Sequence, residues 1–314
     1  MKDKSRKSAK ANDESRPGRV ADLKPGKYSD GHPLDEVQYL ECKIILKGDR
    51  FTAESNFDDF AKIVKRTAAM SDVDFSRKGF KDARPQIREV LFLDTAGFHL
   101  YNNAFILRRR VIFENGFAVS DPEIVFKFRH PDLQKAAEMD VRPYIFGDYK
   151  IKFKAEALPL KDQVGGYRLL YSHNVEFPLS AVHAANRTSM ATLVEVLPAL
   201  KTLNLPETES VALVHTTAVE EVLKDIGTLD FGKGVTAKSN VAVWRTRGDQ
   251  KQLVGEFAFQ AKFQRPEELH EIARRRCEQF FVNLQYAAQD WLALGTTKTG
   301  AVYRLKGNPP NAHE

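Results

Sequence analysis

Alternation of apolar and polar residues marks a series of strands from residue 36 onward. In one segment Ile124, Phe126 and Phe128 share a face, and Lys127 and Arg129 share the opposite face, because successive side chains of a strand point to opposite sides. The same kind of pattern predicts strands over Val37–Leu46, Glu89–Leu93, Phe105–Phe113, Glu123–Arg129, Tyr149–Ala157, Val211–Thr217, Val241–Arg247 and Gly255–Phe263.

Two segments carry apolar residues at helical spacing instead. Asn56–Met70 begins with a residue that favours helix caps and ends before a polar stretch. A longer helix follows Pro266 and stops at Gly295. The stretch from about 175 to 205 is helical or mixed and yields no assignment. Strands outnumber helices without regular βαβ alternation, so the pattern predicts an α+β fold.

The first 35 residues differ in composition from the rest. Segment 1–35 is rich in Lys, Ser, Asp, Gly and Pro, which predicts a disordered basic leader before one domain over 36–310. This leader holds nine Lys or Arg and six Asp or Glu, half of the chain's net charge of +6. The remainder is therefore nearly neutral, which argues against a general nucleic-acid surface.

Neither membrane insertion nor secretion is indicated. No run of 18 apolar residues occurs, and the charged N-terminus lacks the apolar stretch of a signal peptide. The two cysteines, Cys42 and Cys277, make neither a disulfide framework nor a zinc site. These features predict a cytoplasmic protein, and they leave open whether it forms a homodimer.

The polar faces of the predicted strands are mostly cationic, although the body is nearly neutral. Two interpretations stay open: a sheet with one face in water, or a barrel with a charged lumen. Arg108 and Arg110 flank a segment apolar enough for burial on both sides, which favours the lumen. Because buried like charges repel, such a lumen would have to hold carboxylates or bound anions.

Several segments, in the right order, resemble the CYTH or triphosphate tunnel family. These are 92–95 (Phe-Leu-Asp-Thr), 107–110 (Leu-Arg-Arg-Arg), 39–43 (Tyr-Leu-Glu-Cys-Lys) and Lys127 in its Val-Phe-Lys-Phe setting. Together with Lys298 and Tyr303, which are similar to the family's closing segment, they extend the resemblance over about 36–307. The resemblance implies a closed antiparallel β-barrel with flanking helices.

The resemblance also implies a ligand and a chemistry. The ligand would be a small-molecule anion with a phosphate chain, and the activity would be divalent-metal-dependent hydrolysis of tripolyphosphate or another triphosphate-containing substrate. Glu41 and Lys43 would be catalytic, and Glu41 and Glu256 would hold Mg²⁺ or Mn²⁺. The phosphate-binding set would be Lys43, Arg108, Arg110 and Lys127 by matched position, with Arg129 and Lys262 added by strand parity.

The acidic side of the family pattern is incomplete in this chain. Tyr39 stands where the family has its first Glu, and Ala258 and Gln260 replace two more acidic residues. Two carboxylates could still hold one ion, since Mg²⁺ keeps several waters. The alternatives are a catalytically impaired protein that binds polyphosphate, nucleotides or phosphorylated ligands, and an adenylyl cyclase, an activity also found in the family.

Overall fold

The computed structural model describes residues 36–182, 188–263 and 268–307, so the predicted leader lies outside the described residues. The described part contains thirteen strands and six α-helices. The strands are β1 Tyr39–Leu46, β2 Asp74–Ser76, β3 Gln86–Thr95, β4 Phe105–Glu114, β5 Phe117–Ala118, β6 Glu123–His130, β7 Lys150–Pro159, β8 Tyr167–Pro178, β9 Thr188–Ser189, β10 Ser210–Leu213, β11 Val219–Asp230, β12 Thr236–Thr246 and β13 Gln252–Lys262. The helices are α1 Ser55–Met70, α2 His99–Asn102, α3 Leu133–Glu138, α4 Met190–Val196, α5 Glu271–Ala287 and α6 Lys298–Tyr303.

Nine strands close into a barrel. In spatial order they are β11, β12, β13, β1, β7, β8, β6, β4 and β3, and β3 pairs back onto β11. Every neighbouring pair is antiparallel except β1 and β7, which run parallel. A parallel pair needs a long connection, and about a hundred residues separate these two strands. The predicted closed barrel with flanking helices is confirmed, with this one parallel pair as the difference from the expected pairing.

The predicted helix over Asn56–Met70 is α1, which begins one residue earlier. Its apolar stripe is buried at Phe57, Phe60 and Val64. Asn56 does not cap the helix as expected; its side-chain oxygen accepts hydrogen bonds from the backbone N–H of Thr52 and Ala53 and so fixes the preceding turn. The later long helix is α5, which ends at Ala287, well before the predicted stop at Gly295, and a separate 3₁₀ turn follows at Gln289–Trp291; Pro266 lies outside the described residues.

Helices cover two sides of the outer barrel surface. On one side Phe257 of β13 packs against Phe60 of α1, and Phe259 packs against Phe280 of α5. On the other side α4 and a short 3₁₀ helix, Pro198–Leu203, lie over the apolar outer faces of β4, β6 and β8. Burial of the apolar faces outside leaves the polar faces of the barrel strands directed inward.

An apolar plug fills one end of the interior. Here Phe92 of β3 and Trp244 of β12 pack against Tyr303 of α6, whose ring stacks on Tyr101 at 4.1 Å. The Tyr303 hydroxyl donates to Asp94 at 3.0 Å, which ties α6 to the end of β3.

Asp94 organises the turn that follows β3. It accepts hydrogen bonds from the backbone N–H of Thr95, Leu100 and Tyr101, and so organises the turn into α2. Burial raises the pKa of this carboxyl, while the hydrogen bonds partly offset that effect.

Two long strands of the fold have no counterpart in the sequence-based assignment. Strand β8 begins before the unassigned stretch and extends into it, and β11 is twelve residues long where no strand had been assigned. From 188 to 203 the unassigned stretch is mixed, as expected: Thr188–Ser189 is strand β9, and α4 and the 3₁₀ helix follow it. Within the described residues no helix is both long and apolar enough to cross a membrane.

Candidate functional site

The barrel encloses a charged cavity of about 300 Å³. All nine barrel strands and α6 contribute side chains to its lining. Among the described residues that line it, nine are cationic and five are carboxylates, an excess of four positive charges. The cations are Lys43, Arg88, Arg108, Arg110, Lys127, Arg129, Lys152, Lys154 and Lys298, and the carboxylates are Glu41, Glu156, Glu176, Glu221 and Glu256.

The structure brings most of the sequence-predicted residues to this cavity. Seven of the eight predicted positions line it, so the alternative of an open sheet with a solvent-facing charged side is wrong. The exception is Lys262, which is exposed at the end of β13, with its Nζ 5.7 Å from the centre of the Tyr39 ring. Those that line it are Glu41, Lys43, Arg108, Arg110, Lys127, Arg129 and Glu256.

One group of charges, the Glu156 cluster, consists of Glu156, Lys43, Lys127 and Arg129. The Glu156 carboxylate is fully buried and pairs with Lys127, with Lys43 at 3.3 Å and with Arg129 at 3.5 Å. It also accepts a hydrogen bond from the Ser172 hydroxyl at 2.7 Å. Burial would raise the pKa of Glu156, but the three cations outweigh it and hold the pKa well below the usual range.

Glu41 of β1 lies beside the Glu156 cluster and pairs with two lysines. Its carboxylate lies 2.9 Å from Lys43 Nζ and 3.2 Å from Lys154 Nζ. Burial opposes ionisation, yet Lys154 and then Lys43 lower the pKa of Glu41 to about 2. Lys43 in turn lies near Glu156, Glu41 and Glu256, which raise its pKa despite burial. Both groups are therefore charged at neutral pH.

A second group, the Lys298 cluster, consists of Lys298, Glu221, Glu256, Arg88 and Trp244. Lys298 Nζ lies 3.0 Å from Glu221 and 2.8 Å from Glu256, and 4.9 Å from the centre of the Trp244 ring. Glu221 also pairs with Arg88 at 3.3 Å and accepts a hydrogen bond from the Trp244 indole at 2.8 Å. Burial would raise the pKa of Glu221, but Lys298 and Arg88 lower it well below its usual range.

Arg108 differs from the other cations. Within the described residues it makes no ion pair, and its buried Nε has no hydrogen-bond acceptor. Burial, and then the neighbouring charge of Arg110, lower the pKa of this guanidinium. Arg110, in contrast, pairs with Glu123, and Lys152 pairs with Glu176 at 2.9 Å. A partly buried guanidinium that lines the cavity without an anionic partner is a ready donor to a bound anion.

The predicted metal ligands do not fit one shared ion as they stand. In the pairing of β1 with β13, Glu41 lies opposite Gln260 and Glu256 lies opposite Ile45, with Lys43 on the rung between them. That offset is four residues, roughly 13 Å along the strands. Each carboxylate also has a lysine within 2.9 Å. Over 36–182, 188–263 and 268–307, no three His, Cys, Asp or Glu side chains are grouped as a metal site.

Several lining residues escaped the sequence reasoning. Lys152, Lys154 and Glu156 stood on the polar face of a predicted strand and could have been included by parity. Glu176 lies on β8, which was not assigned. Arg88 is followed on the same face by Val90 and Phe92, so its strand gave no charged pattern.

Comparison with known proteins gives only distant likenesses. No family model and no curated protein matches the chain. Among solved structures, a proposed adenylyl cyclase from Hippeastrum with a dominant triphosphatase activity is 12% identical, with a TM-score of 0.39 over 88% of this chain and 100% of that one. A proposed adenylate cyclase from Bacillus halodurans is 10% identical, with a TM-score of 0.38 over 87% and 98% of the two chains.

A proposed adenylate cyclase from Vibrio parahaemolyticus is 10% identical, with a TM-score of 0.32 over 85% of this chain and 99% of that one. Scores this low carry no argument about this chain's activity. The likeness in architecture rests on features of the chain itself: a ring of nine paired strands, a charged lumen and helices on the outside. In this architecture the chain resembles the triphosphate tunnel fold of the CYTH family.

Proposed function

We propose that the cavity binds a small-molecule anion with a chain of linked phosphates, such as tripolyphosphate or the triphosphate of a nucleotide. The observation that carries the proposal is the excess of four positive charges inside a closed barrel. Buried cations in excess are costly unless an anion compensates them. A phosphate chain carries at least one negative charge on each phosphate, so it matches this excess in a compact volume.

The shape and the donors of the cavity support the same ligand. Its volume of about 300 Å³ is at the lower end of the range of roughly 300–1,000 Å³ for small-molecule sites, which favours the phosphate chain itself over a bulky group inside. Arg108 offers a planar fork of N–H donors, a geometry suited to phosphate oxygens. Lys127 and Arg129 both pair with Glu156, and both would also contact the bound anion.

Titration calorimetry with tripolyphosphate tests the proposal. We expect binding with one anion per chain, weakened by added salt because the attraction is electrostatic. Mass action should also raise the melting temperature, and the rise should continue logarithmically with anion concentration above the dissociation constant. Orthophosphate at the same concentration is the matched control and should bind more weakly, since it reaches fewer of the cations. Equal, weak effects of both anions would contradict a phosphate-chain site.

The second candidate is metal-dependent hydrolysis of the bound triphosphate. It is favoured by Glu41 and Lys43, which lie side by side on the cavity wall. A divalent ion, Mg²⁺ or Mn²⁺, would neutralise charge and activate water. Since the ammonium groups already hold Glu41 and Glu256, such an ion would have to displace a lysine or arrive with the anion.

Release of orthophosphate from tripolyphosphate and from ATP, with Mg²⁺, with Mn²⁺ and with EDTA, decides between the two candidates. Turnover that needs a metal and is lost in Glu41→Gln would establish the enzyme. Binding without turnover, with the folded state verified, would leave the binding function alone.

A cytoplasmic setting belongs to the same proposal. Both cysteines, Cys42 and Cys277, are free and buried, as expected in a reducing compartment. Fractionation of the cells that express the chain tests this, and recovery in a secreted or organellar fraction would contradict it.

A further inference from the structure

Lys298 occupies an unusual position for an ammonium group. Its Nζ lies between two buried carboxylates, 3.0 Å from Glu221 Oε1 and 2.8 Å from Glu256 Oε1. The two oxygens thus lie within 5.8 Å of each other, on strands β11 and β13, which β12 separates. Glu221 and Glu256 thus converge on one ammonium, as Glu41 and Glu156 do on Lys43, whereas the predicted pair of Glu41 and Glu256 is divided by Lys43.

Two converging carboxylates in a buried site need a cation between them. A divalent ion such as Mg²⁺, with oxygen ligands at about 2.0–2.1 Å, would meet that need. The ammonium meets it as well, with longer contacts and three N–H donors. Lys298 uses these for Glu221 and Glu256, and the Trp244 ring adds a cation–π contact at 4.9 Å.

The fold delivers this ammonium and holds it in place. Lys298 is the first residue of α6, whose N-terminus is capped by the Thr297 hydroxyl accepting from Gly300 N–H at 3.0 Å. At the other end of α6, Tyr303 is anchored by its hydrogen bond to Asp94. A cation that is tethered at both ends of its helix has a high effective concentration at the carboxylates, which disfavours its exchange for an ion from solution.

We propose that the Lys298 ammonium is the resident cation of the Glu221–Glu256 pair, in the place of a divalent metal ion. The pair then binds no metal in the native protein, and removal of the ammonium creates a divalent-cation site. The consequence for the ligand, which rests on the proposed function, is that the cavity binds its phosphate chain without a metal ion at this pair.

Mn²⁺ binding to the full chain, followed by electron paramagnetic resonance without any phosphate present, tests the metal part. The native protein and Glu221→Gln should bind Mn²⁺ equally weakly. Lys298→Met, which keeps the side-chain length without the charge, should gain at least tenfold in Mn²⁺ affinity, and the double variant Lys298→Met/Glu221→Gln should lose that gain. Mn²⁺ should also raise the melting temperature of Lys298→Met more than that of the native protein.

Two results would overturn the proposal. One is native Mn²⁺ binding that falls tenfold or more in Glu221→Gln, since the metal would then be resident despite the lysine. The other is a folded Lys298→Met that gains no Mn²⁺ affinity. Should Lys298→Met fail to fold, the comparison of the native protein with Glu221→Gln still decides, because neither removes the ammonium.

Calorimetry of tripolyphosphate in EDTA separates this inference from the proposed function. We expect the native protein to bind in EDTA. Absence of tripolyphosphate binding with and without Mn²⁺ would refute the proposed function and leave the Mn²⁺ comparison valid. Binding only with Mn²⁺, together with Glu221-dependent Mn²⁺ binding, would refute the inference and leave the proposed function standing.

Discussion

The Glu156 cluster and the Lys298 cluster line the same cavity but differ in net charge, the first being positive and the second neutral. Around Glu156, three cations share one carboxylate. Around Lys298, two cations, Lys298 and Arg88, serve two carboxylates. A bound anion would neutralise the excess positive charge of the Glu156 cluster, but it would give the Lys298 cluster a net negative charge. The difference locates the proposed anion site at the Glu156 cluster and leaves the Lys298 cluster as a self-neutralised wall.

Glu156→Gln should have the largest effect on the free energy of unfolding. The substitution leaves Lys43, Lys127 and Arg129 buried without their shared carboxylate, and breaking a buried ion pair in this way costs about 3–5 kcal/mol. Urea unfolding measures the loss. Because the positive excess is then greater, tripolyphosphate should bind more tightly to this variant and should recover much of the lost stability.

The matched control is Glu207→Gln, at an exposed position, where a change within about 0.5 kcal/mol is expected. Comparison of unfolding with and without tripolyphosphate completes the test. If Glu156→Gln bound the anion no more tightly than the native chain, the carboxylate would not be what balances this cluster, and the comparison of the two clusters would fail.

Lowering the pH should reduce the free energy of unfolding, because Glu41, beside the Glu156 cluster, becomes protonated and loses its ion pairs. The folded pKa of about 2 lies below the ordinary value of 4.5. A depressed carboxyl pKa stabilises the fold above the unfolded value, and the contribution is lost as pH falls from about 4.5 to about 2. For Glu41 alone this contribution amounts to about 3 kcal/mol at neutral pH.

Glu41→Gln supplies the measurement. The native protein should be more stable than this variant at pH 7, and the difference should shrink as the pH approaches 2. Unfolding by urea at pH 7, 5 and 3 follows it. A difference that is independent of pH would mean that packing, rather than the charge of Glu41, accounts for the loss.

Arg108→Met should weaken tripolyphosphate binding and leave the free energy of unfolding nearly unchanged. Since Arg108 has no ion pair within the described residues, its replacement leaves no carboxylate unpaired. A charged hydrogen bond contributes roughly 1.5–3 kcal/mol, so we expect the affinity for tripolyphosphate to fall about tenfold to a hundredfold. Arg109→Met is the matched control, because Arg109 is the adjacent residue of β4 and lines a cavity outside the barrel. Equal losses in the two variants would contradict binding at the inward position.

Strand parity allowed much of the cavity to be predicted from the sequence. Lys43, Arg108 and Lys127 converge because alternate residues of barrel strands all point inward once apolar faces are covered outside. Strand parity tells which face of the sheet a side chain points to, but not where along the barrel axis that side chain lies. Lys262 shows this limit, since it lies on the inward face of β13 yet beyond the cavity lining.

The contacts within the cavity depend on closure of the barrel, which no local pattern encodes. Glu221 and Lys298 are 77 residues apart, and their contact requires β11, β12 and β13 to be in register beneath α6. The parallel pairing of β1 with β7, which sets Glu41 beside Lys154, likewise depends on a long connection. Both clusters therefore became visible only with the three-dimensional arrangement.

Tyr303 lies in the apolar plug near the Lys298 cluster, and Tyr303→Phe should change stability and anion affinity least among these variants. It removes one donor to the buried Asp94, whose backbone hydrogen bonds remain, so a loss of about 1 kcal/mol in stability is expected. Tripolyphosphate affinity should stay unchanged, because the anion is expected at the Glu156 cluster. Paired unfolding and calorimetry on this variant measure both quantities. An affinity that fell with Tyr303→Phe as much as with Arg108→Met would mean that the anion reaches the plug, and the two clusters would then act as one site.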